Sequence, residues 1–246
     1  MGPLRLGLQY VLSFVFIVQM YLAMAVIGLL FLPWALFSAR GAYAACHSYC
    51  FWVIWSARLL VGLRSEVRGT PPEDAVLIAA KHQSFFDILL IFSALPRGRF
   101  IMKKELTWTP ILGQYAKRIG CIAVDRGRRG AAIRLMLAEA KARHDAGGQL
   151  IIYAQGTRVP PGEKRPYKIG TGAIYADLGQ DCVPVATNVG VFWPKRSMLR
   201  MPGLAVVDFL PRIPAGKPVA EFMAELEQVV EARSEELLDE AGFKRV

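Results

Sequence analysis

The chain has 246 residues, 54% of them apolar, a mean hydropathy of +0.32 and a formal charge of +10. That length suits one large domain or a domain with an appendage. The apolar excess rules out an ordinary soluble enzyme, and no internal repeat or low-complexity tract points to a solenoid or a disordered chain.

The excess is concentrated at the N-terminus. Residues 6–39 contain no charged side chain and neither do residues 41–57; residues 1–64 hold only Arg5, Arg40, Arg58 and Arg64. A signal peptide fits poorly, because the apolar stretch far exceeds the roughly 7–15 residues of a signal core and no small-residue cleavage site follows. As a helix, Gly7 to Trp34 would extend about 40 Å, against a hydrocarbon core of roughly 30 Å. Pro33 is expected to break or kink it. A second apolar helix is expected from Ala42 to Val61. Joined by a turn, the two form either a hairpin across a bilayer or a wedge in one leaflet. Positive charge is heavier after the second helix than in the connection. The expected location is therefore the inner membrane, with the main domain on the cytoplasmic side. This divides the chain into an anchoring helix pair, 1–64, and a main domain, 65–246.

Cys46, His47 and Cys50 lie close together in the second helix. No second pair at zinc spacing accompanies them, so small apolar filling is expected there rather than a metal. Nothing calls for disulfides, which fits a reducing compartment.

From residue 65 short apolar runs alternate with helical patterns. Strands are expected at Ala75–Ala80, Arg99–Met102, Cys121–Val124, Gln149–Ala154, Val183–Phe192 and Leu204–Leu210. Helices are expected at Phe86–Ala94, over residues 103–120 with Pro110 in the first turn, and at Gly130–Ala146, Gly172–Leu178 and Val219–Ala241. In the last, Phe222, Met223, Leu226, Val229 and Val230 share one face and the acids occupy the other. Segments 68–74 and 158–166 read as linkers. The order predicts an α/β fold with a mostly parallel sheet flanked by helices, preceded by the two-helix membrane motif. Charge follows the same division. Residues 65–218 hold 23 basic and 12 acidic residues, whereas 219–246 hold three and eight. A basic middle domain beside an anchor predicts phosphate-bearing partners: membrane lipids, a phosphorylated substrate or a CoA-type donor. Nucleic acid would also suit the charge, but the anchor and the lack of interleaved basic and aromatic residues argue against it.

Polar clusters fall at the ends of the expected strands, where sheets of this class bind ligands. His82 and Asp87 are five residues apart across a turn. A carboxylate there can fix the imidazole tautomer and stabilise the imidazolium formed on proton uptake. A helix-capping Asp beside a satisfied loop histidine accounts for the same residues. Asp125-Arg126 opens a basic loop and reads as an anion site or as a strand-end ion pair. Gln155-Gly156-Thr157-Arg158 offers close backbone approach, a hydroxyl and a phosphate-matching guanidinium, or else an ordinary turn. Lys168, with Gly170 and Gly172 downstream, is a further cation or a surface loop.

Taken in order and spacing, KHQSFFD (81–87), GCIAVDR (120–126), QGTR (155–158) and CVPVATN (182–188) resemble the four motifs of glycerolipid acyltransferases of the lysophosphatidic acid (1-acylglycerol-3-phosphate) acyltransferase type. The likeness spans residues 65–210, and the apolar N-terminal pair resembles that family's membrane motif. It implies that residues 65–246 form an acyltransferase domain. A fatty acyl group would pass from acyl-CoA or acyl carrier protein to the free hydroxyl of a lysolipid, without a metal or bound cofactor. His82 would be the general base and Asp87 its orienting partner. Arg126, Gly156, Thr157, Arg158 and Lys103 would bind the acceptor phosphate. Gln155, Lys168 and Pro184 would lie on the acceptor or donor side. Two positions depart from the family: Gln155 stands where glutamate is usual, and Lys81 where asparagine is common. They leave open a lysolipid with another head group, and a non-catalytic lipid-binding protein is the rival from another class.

Overall fold

The structure, a computed structural model, describes residues 2–125, 129–142 and 147–244. Its first element, α1 (Pro3–Phe37), is continuous through Pro33, and the break falls at the extended Ser38. The expected interruption at Pro33 is thus displaced by five residues. A second helix, α2 (Ala39–Val61), begins at once. It folds back on α1 so closely that a Cβ on Gly41 would lie 2.7 Å from the Trp34 backbone.

Among the described residues seven strands follow: β1 (Leu63–Gly69), β2 (Leu77–Ala80), β3 (Arg99–Lys103), β4 (Ile122–Val124), β5 (Leu150–Tyr153), β6 (Cys182–Thr187) and β7 (Gly203–Phe209). They form one sheet in the order β1-β7-β6-β2-β5-β3-β4. Every pairing is parallel except β6 with β7. The remaining helices are α3 (Phe86–Ser93), α4 (Leu112–Arg118), α5 (Arg129–Ala142), α6 (Ile169–Leu178) and α7 (Val219–Glu240).

The central strands are buried on both faces, which is why they read as unbroken apolar runs. Ile78, Ala80, Ile151, Tyr153, Val183 and Val185 face a core shared with α1–α4. Their neighbours Leu77, Ala79, Leu150, Ile152 and Cys182 face a core shared with α5–α7. Successive strand residues point to opposite faces. Phe222, Leu226 and Val230 anchor α7 on the second core, each burial worth about 1.5–3 kcal/mol.

Three segments of the body differ from the sequence expectation. The strand expected over Val183–Phe192 ends at Thr187, whose Oγ1 accepts the Val189 N–H at 3.2 Å, and Val189–Val191 forms a 3-10 turn. Strand β1 lies at a sheet edge and carries Arg64, Glu66 and Arg68. Such charge is characteristic of edges and hides a strand's apolar period. The helix expected over 103–120 is divided into a 3-10 turn, Lys104–Trp108, and α4. Pro110 holds Thr109 extended, as residues before proline prefer, and Ile111 takes a φ of 62°. Ile111 then fits against α1 because Gly28 has no side chain; a Cβ there would lie 2.5 Å from Ile111 Cγ2.

Candidate active site

Parallel pairing places the C-terminal ends of β2, β5, β3 and β4 on one edge of the sheet. Ala80 lies opposite Tyr153, and Lys103 opposite Val124. His82, the 155–158 loop, Lys103 and Asp125 are thereby gathered along that edge. The crevice outside the carboxyl ends of such strands is the general ligand position in open α/β sheets.

The Lys81 N–H donates to the Val185 carbonyl at 3.0 Å, which carries the ladder one residue past β2. The chain then turns, and Asp87 falls in the first turn of α3. Its Oδ2 accepts the backbone N–H groups of Gln83 (2.8 Å) and Ser84 (2.7 Å). Its Oδ1 lies 2.9 Å from His82 Nδ1. Asp87 is therefore both the turn-closing acceptor and the histidine's partner. It is fully buried, and bonds of this charge-assisted kind offset the cost of a carboxylate without water. A carboxylate only accepts, so Nδ1 carries the proton. Nε2, which makes no hydrogen bond among the described residues, is left as the basic nitrogen. The site is steadied from a third side by Gln83 Oε1, which accepts the Gly190 N–H at 3.0 Å.

Tyr153 completes the arrangement and was not singled out in the sequence. Its hydroxyl donates to Asp87 Oδ1 at 3.1 Å. Its ring stacks on His82 with centroids 3.8 Å apart and 15° between planes. Burial and the Asp87 carboxylate push the phenol pKa well up, and the positive charge of Arg158 opposes that rise. Tyr153 thus remains a neutral donor. The signal that marks it is register: it is the β5 residue paired with Ala80, two positions before His82.

Immediately after Tyr153 the chain reverses at Gly156, whose φ of 69° favours glycine. The Gly156 N–H donates to Tyr153 O at 2.8 Å, and the Val159 N–H to His82 O at 2.7 Å. Gly156, Thr157 and Arg158, all half-buried, are consequently sewn to the histidine strand. Lys103 lies farther along the edge, exposed and paired with Glu105 at 3.0 Å. Arg126 lies outside the described residues. Lys168 is exposed at the start of α6, with its N–H on Ala154 O at 2.8 Å and its side chain beside Gly156. Pro184 is buried inside β6 opposite Ala79. Its missing N–H falls on the β7 side, where its carbonyl accepts Leu210 N–H, so the β2 ladder loses nothing.

Gln155 is placed differently from the expectation that it would face the acceptor. It is 2% exposed, and its Nε2 donates to Glu231 of α7 at 3.4 Å and to the Arg165 carbonyl at 3.3 Å. The amide turns toward α7 because Glu231 offers a carboxylate there.

The family model described as Acyltransferase matches residues 64–188, slightly more than half of the chain. The chain belongs to this acyltransferase family. A relative from Pseudomonas aeruginosa, 1-acyl-sn-glycerol-3-phosphate acyltransferase, is 29% identical over 206 residues, covering 83% of this chain and 80% of the relative. The human 1-acyl-sn-glycerol-3-phosphate acyltransferase alpha is 31% identical over 163 residues, covering 64% of this chain and 57% of the relative. Among solved structures, the 1-acyl-sn-glycerophosphate (LPA) acyltransferase PlsC from Thermotoga maritima superposes with a TM-score of 0.78, covering 95% of this chain and 98% of that one. At 21% identity that likeness is one of fold. His82, Asp87, Tyr153 and the 155–158 loop all fall within the matched segment, whereas Glu231 lies beyond it.

Proposed function

We propose that this acyltransferase converts lysophosphatidic acid to phosphatidic acid, using a fatty acyl thioester of CoA or acyl carrier protein. The observation that carries the reading is the His82–Asp87 pair set beside the Gly156-Thr157-Arg158 turn. His82 Nε2 takes the proton of the acceptor hydroxyl as its oxygen attacks the thioester carbonyl. The tetrahedral intermediate collapses with cleavage of the C–S bond, and the imidazolium returns the proton to the departing thiolate. General-base catalysis of this kind is worth about 10²–10⁴ in rate. Asp87 holds the tautomer and stabilises the imidazolium. Arg158, with the Gly156 and Thr157 backbone, meets the acceptor phosphate; Lys103 and Lys168 add positive charge around it, and the motif resemblance gives Arg126 the same role.

The lipid substrate is reached from the membrane. Among the described residues, α1 is the one helix long and apolar enough to cross a bilayer. Yet α1 is held to the α/β body along most of its length. Gln9 Nε2 donates to the Arg200 carbonyl at 2.7 Å, Tyr115 Oη to the Gly28 carbonyl at 2.6 Å, and Arg118 to the Leu36 carbonyl at 2.9 Å. A helix fastened at both ends to one body favours the wedge over the hairpin. Leu22, Val26, Leu29 and Leu30 are exposed on it and would meet the acyl chains of one leaflet, with the basic body on the cytoplasmic side.

The test is full-length protein in mixed micelles, offered lysophosphatidic acid with labelled acyl-CoA or acyl carrier protein. Phosphatidic acid formation that disappears in His82→Ala is the expected result. Absence of product, or faster turnover of lysolipids with other head groups, overturns the assignment of the acceptor.

A further inference from the structure

The two positions at which the chain leaves its family pattern, Lys81 and Gln155, converge on one side chain. Lys81 Nζ forms an ion pair with Glu231 Oε2. Gln155 Nε2 donates to Glu231 Oε1 at 3.4 Å, and so does Tyr167 Oη at 3.0 Å. Lys81 is buried and Glu231 largely so, with side-chain exposures of 4% and 13%. All four residues precede, or reach toward, parts of the catalytic edge. Lys81 immediately precedes His82, Gln155 precedes Gly156, and Tyr167 precedes Lys168. None of the four enters the acyl-transfer steps.

We infer that Glu231 is a positioning residue of the active site. Its single carboxylate on α7 fixes the ends of β2 and β5 that carry His82 and Gly156-Thr157-Arg158, and Lys81 and Gln155 are matched to it. The physical argument is one of charge. A buried ammonium requires a counter-charge, and removing one partner of such a pair leaves the other desolvated and unpaired. With Glu231 supplying the one negative charge, position 155 must be neutral. A second carboxylate there would confront Glu231 across a hydrogen-bond distance, and the two would have to share a proton. The neutral amide instead donates to Glu231. The absent acid at 155 and the lysine at 81 are therefore two halves of one arrangement, closed by a helix outside the matched family segment.

The inference rests on the acyl-transfer reading for its kinetic readout, and thermal stability supplies a readout that does not. Three variants of the full-length protein decide it. Glu231→Gln should lower kcat/KM about tenfold or more, through both kcat and acceptor KM, with donor KM little changed. Gln155→Glu should also lose activity, and more severely as pH rises from about 6 to about 9. The charged and titratable groups facing the new acid are Lys81, Tyr167, Glu231 and, one turn along α7, Glu227. Low pH supplies the shared proton and high pH removes it. The double variant Gln155→Glu with Glu231→Gln moves the carboxylate rather than adding or deleting one. It should recover activity to within about threefold of wild type and regain the melting temperature that each single variant loses, a coupling read from the double-mutant cycle. Wild-type kinetics in Glu231→Gln overturn the inference. So does a double variant no better than the worse single. If Glu231→Gln fails to fold alone, a folded and active double variant still supports the carboxylate relay, and an unfolded one overturns it. A wild type without acyltransferase activity would sink the functional proposal alone, because the stability arm of the cycle remains readable.

Discussion

Lys81 and His82 are consecutive, yet they meet two different carboxylates on opposite faces of one sheet. On the α1–α4 face, Asp87 is held by two backbone amides, the Tyr153 hydroxyl and His82 Nδ1. On the α7 face, Glu231 is held by the Lys81 ammonium, with a tyrosine and an amide beside it. Each carboxylate receives one tyrosine, and each tyrosine is raised in pKa by burial first and by its carboxylate second. The difference lies in the lysine, which only the second carboxylate has. A carboxylate already neutralised by lysine has no charge left to stabilise a new cation, and it serves as a clamp. One without a lysine keeps its full charge for an imidazolium. The alternation of the strand assigns one residue to each task.

Replacing the titrating partner should break that contrast most completely. His82→Ala removes the proposed acceptor of the hydroxyl proton, and kcat is expected to fall about 10²–10⁴-fold while lipid association persists. Retention of more than about a tenth of wild-type kcat would remove His82 from the chemistry. Asp87→Asn keeps the shape and discards the charge. An amide cannot accept from four donors as a carboxylate does, and it no longer favours the imidazolium. A kcat loss of about 10²-fold or more, with KM little altered, is expected. Equal losses in kcat and protein stability would instead assign Asp87 to the turn alone.

Arg158 sharpens the comparison from the substrate side, since its charge reaches Tyr153. Arg158→Ala should raise acceptor KM by about tenfold, the scale of one charge-assisted hydrogen bond, and leave donor KM nearly unchanged. Equal weakening toward both substrates would mark a structural role.

The His82–Asp87 site was largely legible in the sequence and the Glu231 site was not. Strands β2, β5 and β6 announce themselves because both their faces are apolar. His82 and Asp87 do so because an imidazole and an acid interrupt two apolar runs. Glu231 hides among the other acids of α7, since helical periodicity assigns it to the polar face beside Val230. Only the distance to Lys81 shows that this part of the face is buried. Strand β1 was obscured by its charges, and the 109–111 break by a local effect of Pro110 that resembles a tolerated first-turn proline. Tyr153 was invisible for another reason. An aromatic residue ending a buried strand is ordinary core filling, and its hydroxyl acquires meaning only through the register that sets it over His82.

Tyr153 also yields the smallest and most discriminating test. Tyr153→Phe keeps the ring that stacks on His82 and removes the hydroxyl, leaving Asp87 Oδ1 with His82 as its side-chain donor. One buried hydrogen bond is worth about 0.5–1.5 kcal/mol, so kcat should fall about two- to tenfold while acceptor and donor KM hold. The direction of the phenol's shift adds a pH criterion. Burial and the neighbouring carboxylate favour the protonated form, so the hydroxyl still donates where an ordinary tyrosine, with a pKa of about 10, begins to ionise. The ratio of wild-type to Tyr153→Phe kcat should accordingly stay constant from about pH 7 to about pH 10. A ratio that drifts toward one at the alkaline end would mean the phenol loses its proton there and that Asp87 keeps its position without it. A variant indistinguishable from wild type at every pH would reduce Tyr153 to a stacking surface, and the likeness between the two carboxylate sites would then be one of packing alone.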